Sequence, residues 1–426
     1  MPMKVTGARK KFPEKKLRIS IERLEKDIIE LGHIGHNVED GGMYRPAFSE
    51  ADMLARKWLA NRIEEAGLKP HMDGAANVFG LDDRAGTKTS FLIGSHLDSV
   101  PCGGLIDGPL GVLAGLEVMR VLKENNIELK ENLELVATSD EEGRFGGMLG
   151  AQAICGEISP KFISAAKDSD GRMLTDAMEK AGLNPRDLLT ARRHPDLMSG
   201  FLELHIEQGI VLEKKNVDIG IVNCISGLFK WQVRLVGKAN HSGTTPMDMR
   251  QDAFMGVAEF ATQIPRILEE NGSENARATI GKVELFPGNP HTVPGKAEFT
   301  IVGRDFSNNQ LEDLEVGFRR ALSAIARRRS LMFEFEELNK IFPTYCDDLV
   351  VDAIAKEAKD LECSFMEMPS GAGHDGQYFG KHMPMGMIFI PSLGGVSHSP
   401  EEWSSLEHIE LGANLLLSSV MRLLKK

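Results

Sequence analysis

Apolar residues recur at helical spacing along residues 50–66, where Met53, Leu54, Trp58, Leu59 and Ile63 form one stripe, Ser49 stands as an N-cap and Gly67 as a stop. An amphipathic helix is predicted there. Residues 90–93 and 133–138 are short apolar runs of strand length, and residues 111–122 between them carry a helical pattern. A succession of strand, helix and strand predicts a largely parallel sheet with helices on both faces, an α/β architecture.

After Gly209 the texture changes. Alternating β-branched segments at 230–236, 279–286 and 297–302 surround a predicted helix at 252–269, the pattern of an α+β unit of about 115 residues. Helix and strand alternate again from about residue 330 and end in a helix at 406–424. The expected organisation is therefore a main domain made of 1–213 and 330–426, interrupted by an inserted domain at 214–329. Neither an internal repeat nor a low-complexity segment occurs.

The chain's 426 residues suit two to three domains, and 42% hydrophobic with 26% charged residues suits a globular chain with a sizeable core. No stretch approaches the roughly 20 apolar residues that cross a bilayer. The amino terminus is basic without the apolar run of a secretory signal, so a cytoplasmic location is expected. Five scattered cysteines with no CxxC pair argue against a disulfide framework or a zinc finger. Residues 1–24 carry eight Lys/Arg and two Glu, so a net charge of −12 leaves about −18 on the remainder. Neither nucleic acid nor a membrane surface is an expected partner of such a body, and the basic arm reads as a solvated start to a first helix.

Candidate chemistry gathers at strand ends. Gly94-Ser95-His96-Leu97-Asp98 directly follows an apolar strand, where open α/β sheets meet their ligands. His96 is either a structural histidine or a ligand whose imidazole Asp98 orients. Asp107, before Gly108, Pro109 and Gly111, is either a helix N-cap or a carboxylate presented outward on a tight turn. Asp140, Glu141 and Glu142 place three adjacent carboxylates at another strand end, so they sit either in water or beside a cation. His205 in ELHIEQG and His398 in GVSHSP also follow strand-like runs. Together, three imidazoles and two carboxylates make a plausible complement for two divalent ions.

These motifs resemble the M20 family of metal-dependent amidohydrolases, and within it the hydantoinase/carbamoylase group. GSHLDSV (94–100), GGLIDGPLGVLAGLEV (103–118), DEEGRFG (140–146), LELHIEQG (202–209), HSGTTPM (241–247), SGAGHD (370–375) and MIFIPS with GVSHSPEEW (387–403) stand in family order over nearly the entire chain. The resemblance implies two divalent ions (Zn, Mn, Co or Ni) in the main domain. Asp107 would bridge them, Glu142 and His398 would complete one site, and His96 and His205 the other. It further implies Glu141 as general base and an inserted domain that serves as lid and pairs two subunits. His241 would reach the partner's active site in that homodimer to stabilise an oxyanion. Gln208, His291 and Arg304 match substrate contacts.

The activity implied is hydrolysis of the carbamoyl C–N bond of N-carbamoyl-L-amino acids to amino acid, carbon dioxide and ammonia. Allantoate, a β-ureido acid or another N-acyl amino acid is the alternative substrate, and an inactive dimeric binding protein is a remote one. A serine hydrolase is disfavoured because no GxSxG elbow occurs. The chain departs from the family pattern in two places: His291 stands where an Asn is usual, and Val302 where an Asp usually precedes Arg304 by two residues. The acidic turn after Glu142 is also short.

Overall fold

The computed structural model describes residues 17–425, so residues 1–16 of the basic arm lie outside the described residues. The described chain divides into two compact units. One takes the chain up to Asn223 together with Tyr345–Ser370 and the segment from His374 onward, and the other takes Cys224–Thr344 with Gly371–Gly373.

The first unit is built on a mixed sheet of nine strands among the described residues. Its centre is four parallel strands in the spatial order Asn132–Thr138, Ser90–His96, Met198–Ile206, Met385–Ile390. Antiparallel strands flank them, Val78–Asp82 on one side and Ile219–Ile225 on the other. Every residue of Ser90–His96 and Asn132–Thr138 is buried, as parallel strands covered on both faces must be. The register sets His96 opposite Thr138 and His205 opposite Phe389. Thus the carboxyl ends of the central strands meet, and the acidic stretch after Thr138 leaves the sheet beside His96.

The helix predicted at 111–122 runs Pro109–Glu124. Pro109 occupies its first turn, where its missing N–H costs nothing. Pro109 to Leu122 are all buried, because the helix lies between the sheet and the helices Ile21–Gly32 and Leu406–Leu424. Leu113, Leu116 and Leu122 are fully buried, each contributing about 1.5–3 kcal/mol of hydrophobic stabilisation. The opposite face is covered by Leu149–Cys155 and Gly376–Phe379, with Phe379 packed on Phe201 at 4.7 Å between ring centroids. The amphipathic helix runs Glu50–Glu65, the Ser49 hydroxyl accepting the N–H of Asp52 and Gly67 following at φ +70°. From it, Arg56 reaches inward to pair with Asp52 and donates to the carbonyl of Thr138, bracing the end of that strand. No helix among the described residues is long and apolar enough to cross a membrane, and all five cysteines are free.

In the second unit, Gly227–Val236 and Lys296–Asp305 pair antiparallel and bury alternate residues. Phe229, Trp231, Val233, Phe299 and Ile301 thereby form a core with Phe260 and Phe318 of the helices Ala253–Asn271 and Asn308–Arg328. The run at 279–286 proves to be two short strands, Arg277–Thr279 and Val283–Phe286, both paired with Lys296–Asp305. Met332–Ile341 pairs with Gly227–Val236 and joins this sheet. Periodicity identifies a strand but does not say which sheet takes it.

Candidate metal centre

The site is assembled in the first unit, at the carboxyl ends of the central strands. His96 ends the strand Ser90–His96, and its Nδ1 lies 3.1 Å from the carbonyl oxygen of Asp98. The carbonyl only accepts, so Nδ1 carries the proton and Nε2 turns a lone pair into the site. His205 repeats the backbone hold, with Nδ1 2.9 Å from the carbonyl of Ile206, so that its neutral form has the lone pair on Nε2. Both rings are buried, their centroids 5.9 Å apart.

Asp107 lies between them and His398. Its Oδ1 is 3.8 Å from His96 Nε2 and 3.2 Å from His205 Nε2, while its Oδ2 is 3.3 Å from His398 Nε2. Each oxygen therefore faces a different set of donors. His96, Asp107 and His205 form one cluster with ligand spacing, and Asp107, Glu142 and His398 form a second, with Glu142 Oε2 3.5 Å from His398 Nε2. Gly108 makes this approach possible: its φ is +80°, and a Cβ there would lie within 2.5 Å of the His96 ring.

Glu141 and Glu142 turn into the site with side chains only 9% and 10% exposed. Glu141 Oε2 comes to 3.7 Å from His96 Nε2. Their turn is held from beneath, since the Asp98 carboxylate accepts the N–H groups of Glu141 and Glu142 at 3.3 and 3.2 Å. This corrects the part expected of Asp98: its backbone carbonyl orients the imidazole, and its carboxylate secures the acidic turn. Asp140, the third acid, is buried at φ +53° and accepts the N–H of Phe145, so it shapes the turn.

So many carboxylates in one dry place disturb each other. Burial, then the neighbouring Glu142 and Asp375 carboxylates, push Glu141 well above the usual range, and burial with Asp107 pushes Glu142 up to about 8. Burial opposes charge on both Asp107 and His205. The facing imidazoles nevertheless hold Asp107 well below its ordinary value, and the Asp107 carboxylate pushes His205 up to about 9. His398, half-exposed at φ +54°, is also pushed up to about 9, first by Asp107. Asp107 Oδ1 and His205 Nε2 are buried with no hydrogen-bond partner, an expensive state that a cation between them relieves. Imidazole nitrogens with fixed tautomers and a carboxylate facing both ways fit divalent ions bound through N and O.

Gln208, expected to contact substrate, donates from Nε2 to Asp107 Oδ2 at 2.9 Å, with its backbone at φ +56°. His241, His291 and Arg304 belong to the second unit. The strand Asn240–His241 pairs with Thr292–Val293, and the carbonyl of His291 accepts the N–H of Ser242, which brings His241 and His291 to one exposed corner. His241 Nδ1 accepts the N–H groups of Gly243 and Thr244 at 3.0 and 3.2 Å, so a neutral ring carries its proton on Nε2. Arg304 donates to the carbonyl of Gly371 at 3.0 Å. Val302 lies on the same sheet face as Arg304.

Sequence reasoning passed over several buried groups. Glu402 is 3% exposed and bonded to both the Asp107 and His398 turns. Glu203, His205 and His374 form a further buried cluster, and Asp375 accepts the Thr138 hydroxyl. Their signal was present, as His374 and Asp375 close the SGAGHD motif and Glu402 lies in GVSHSPEEW, but neither motif says which way a side chain points.

The profile of the peptidase family M20/M25/M40 matches residues 92–422. An N-carbamoyl-L-amino acid amidohydrolase of Geobacillus stearothermophilus is 37% identical, over 94% of this chain and 98% of its own. An allantoate amidohydrolase of Bacillus subtilis is 32% identical, over 96% and 99%. The crystal structure of a hydantoinase/carbamoylase family amidase from Burkholderia multivorans superposes with a TM-score of 0.84 at 30% identity, covering 95% of this chain and 98% of that one.

Proposed function

Because the chain belongs to the M20/M25/M40 peptidase family, we propose that it is a dimetal amidohydrolase that cleaves the carbamoyl C–N bond of N-carbamoyl-L-amino acids. The observation that carries this reading is Asp107, with one oxygen toward His96 and His205 and the other toward His398. His96, Asp107 and His205 would hold one ion, and Asp107, Glu142 and His398 the second. Zn, Mn, Co and Ni all suit such ligands. When bound, two such cations supply Lewis acidity, which makes water a stronger acid and polarises a substrate carbonyl.

Glu141, next to the ligands without belonging to either cluster, accepts a proton from the water that attacks the carbamoyl carbon. The oxyanion receives a hydrogen bond from His241 Nε2–H, for which the backbone hold on Nδ1 is suited. Glu141 returns its proton to the nitrogen of the amino acid as the C–N bond breaks. The remaining carbamic acid falls apart to carbon dioxide and ammonia. Arg304 captures the substrate carboxylate, with Gln208 and His291 as further contacts. The second unit serves as lid and dimerisation domain, His241 acting in the partner subunit of a cytoplasmic homodimer.

Ammonia release from a panel of N-carbamoyl-L-amino acids, assayed with added Mn, Co or Zn, tests the proposal. No release from any member rejects this substrate class. Glu141→Gln should keep its metal and lose turnover; equal activity in both proteins discredits the base. A second substrate reading is favoured by His291, which puts an imidazole where the group usually has an amide. Faster turnover of allantoate, a β-ureido acid or another N-acyl amino acid would select it.

A further inference from the structure

We infer that Glu402 is a positioning residue that ties the two halves of the dimetal site together. The inference rests on the dimetal reading above. The halves are built differently. His96 and His205 lie at the ends of paired neighbouring strands, so sheet register places them. His398 lies in a loop eight residues beyond the strand Met385–Ile390, at φ +54° and half-exposed. Nothing in the sheet fixes its distance from Asp107.

Glu402 does so with one carboxylate. Its Oε1 accepts the N–H groups of Asp107 and Ile106 at 3.0 and 3.4 Å, and its Oε2 accepts the N–H of His398 at 3.1 Å and the Ser397 hydroxyl at 2.9 Å. One oxygen serves the Asp107 turn and the other the His398 turn, although these segments are 290 residues apart in the chain. Ser397 Oγ also lies 3.2 Å from Asp107 Oδ2. Room for the carboxylate is kept by Gly104, where an added Cβ would come within 2.5 Å of Glu402 Cβ and closer still to its carboxylate. Bonds from backbone N–H groups to a buried carboxylate are directional, so Glu402 sets the separation of the Asp107 and His398 turns, whose side chains would hold the second ion.

The test is calorimetric titration of the metal-free, full-length protein with Mn²⁺ or Co²⁺ alone, comparing wild type with Glu402→Gln, Glu402→Ala and Gly104→Ala. The last variant displaces the carboxylate from outside, and it carries the test if removal of Glu402 prevents folding. Wild type should bind two ions. The variants should lose on the order of 10–100-fold in affinity for one of them, retain the other, and show a lower kcat at little altered KM. Wild type that binds fewer than two ions overturns the dimetal reading and the inference with it. Wild type that binds two, with variants that bind both at wild-type affinity, overturns the inference alone. A loss shared equally by both ions would mean general loosening and likewise overturns it.

Discussion

Replacing Asp98 by Asn separates two jobs that one residue performs at the site. Its carbonyl holds the His96 ring through Nδ1, and its carboxylate holds the N–H groups of Glu141 and Glu142. Asn keeps the carbonyl and one side-chain oxygen but turns an NH₂ toward the other N–H. About one hydrogen bond to a charged acceptor is lost, roughly 1.5–3 kcal/mol. If the whole loss falls on the placement of the acidic turn, kcat drops by about 10–150-fold. The proposed ion at His96 and His205 should stay, because the imidazole is still held by backbone. The assay is turnover of whichever substrate wild type hydrolyses, alongside metal content by elemental analysis. Loss of metal in proportion to loss of activity would refute the reasoning and return Asp98 to orienting the histidine through its side chain.

Three further outcomes are expected. Gly108→Ala sets a Cβ against the His96 ring at a backbone φ of +80°; it should destabilise the protein by at least about 1 kcal/mol and abolish ion binding near His96, which melting and metal titration would read. Glu141→Gln removes the proposed base without touching a proposed ligand, and kcat should fall about 10²–10⁴-fold at unchanged metal content. Without ions, His205 and His398 are pushed up to about 9 and Glu142 up to about 8, so all three hold protons at pH 7 that ligation must expel. Cation affinity should therefore rise from pH 6 toward pH 9 and weaken as the solution is acidified; calorimetry in buffers of different ionisation enthalpy counts the protons, and a heat independent of buffer would contradict this.

The local patterns of the chain were enough to place several of its elements. The stripe at 50–66, the apolar strands at 90–93 and 133–138, and the polar clusters at their ends are properties of short segments, readable because periodicity and capping act within a few residues. His96, Glu141, Glu142, His205 and His398 drew attention because each follows a strand-like run, and Asp107 because it opens a Gly-Pro turn, while their roles were implied by the family resemblance. Only the folded chain decided what they do together. Which oxygen of Asp107 faces which imidazole, that Asp98 uses its carbonyl on His96 and its carboxylate on the acidic turn, and that Glu402 spans two loops depend on contacts between residues far apart in the chain. Met332–Ile341 likewise owes its place in the second unit's sheet to its pairing with Gly227–Val236. Covalent neighbours determine conformational preference. Direction and distance between side chains are settled by packing and register, which no single segment contains.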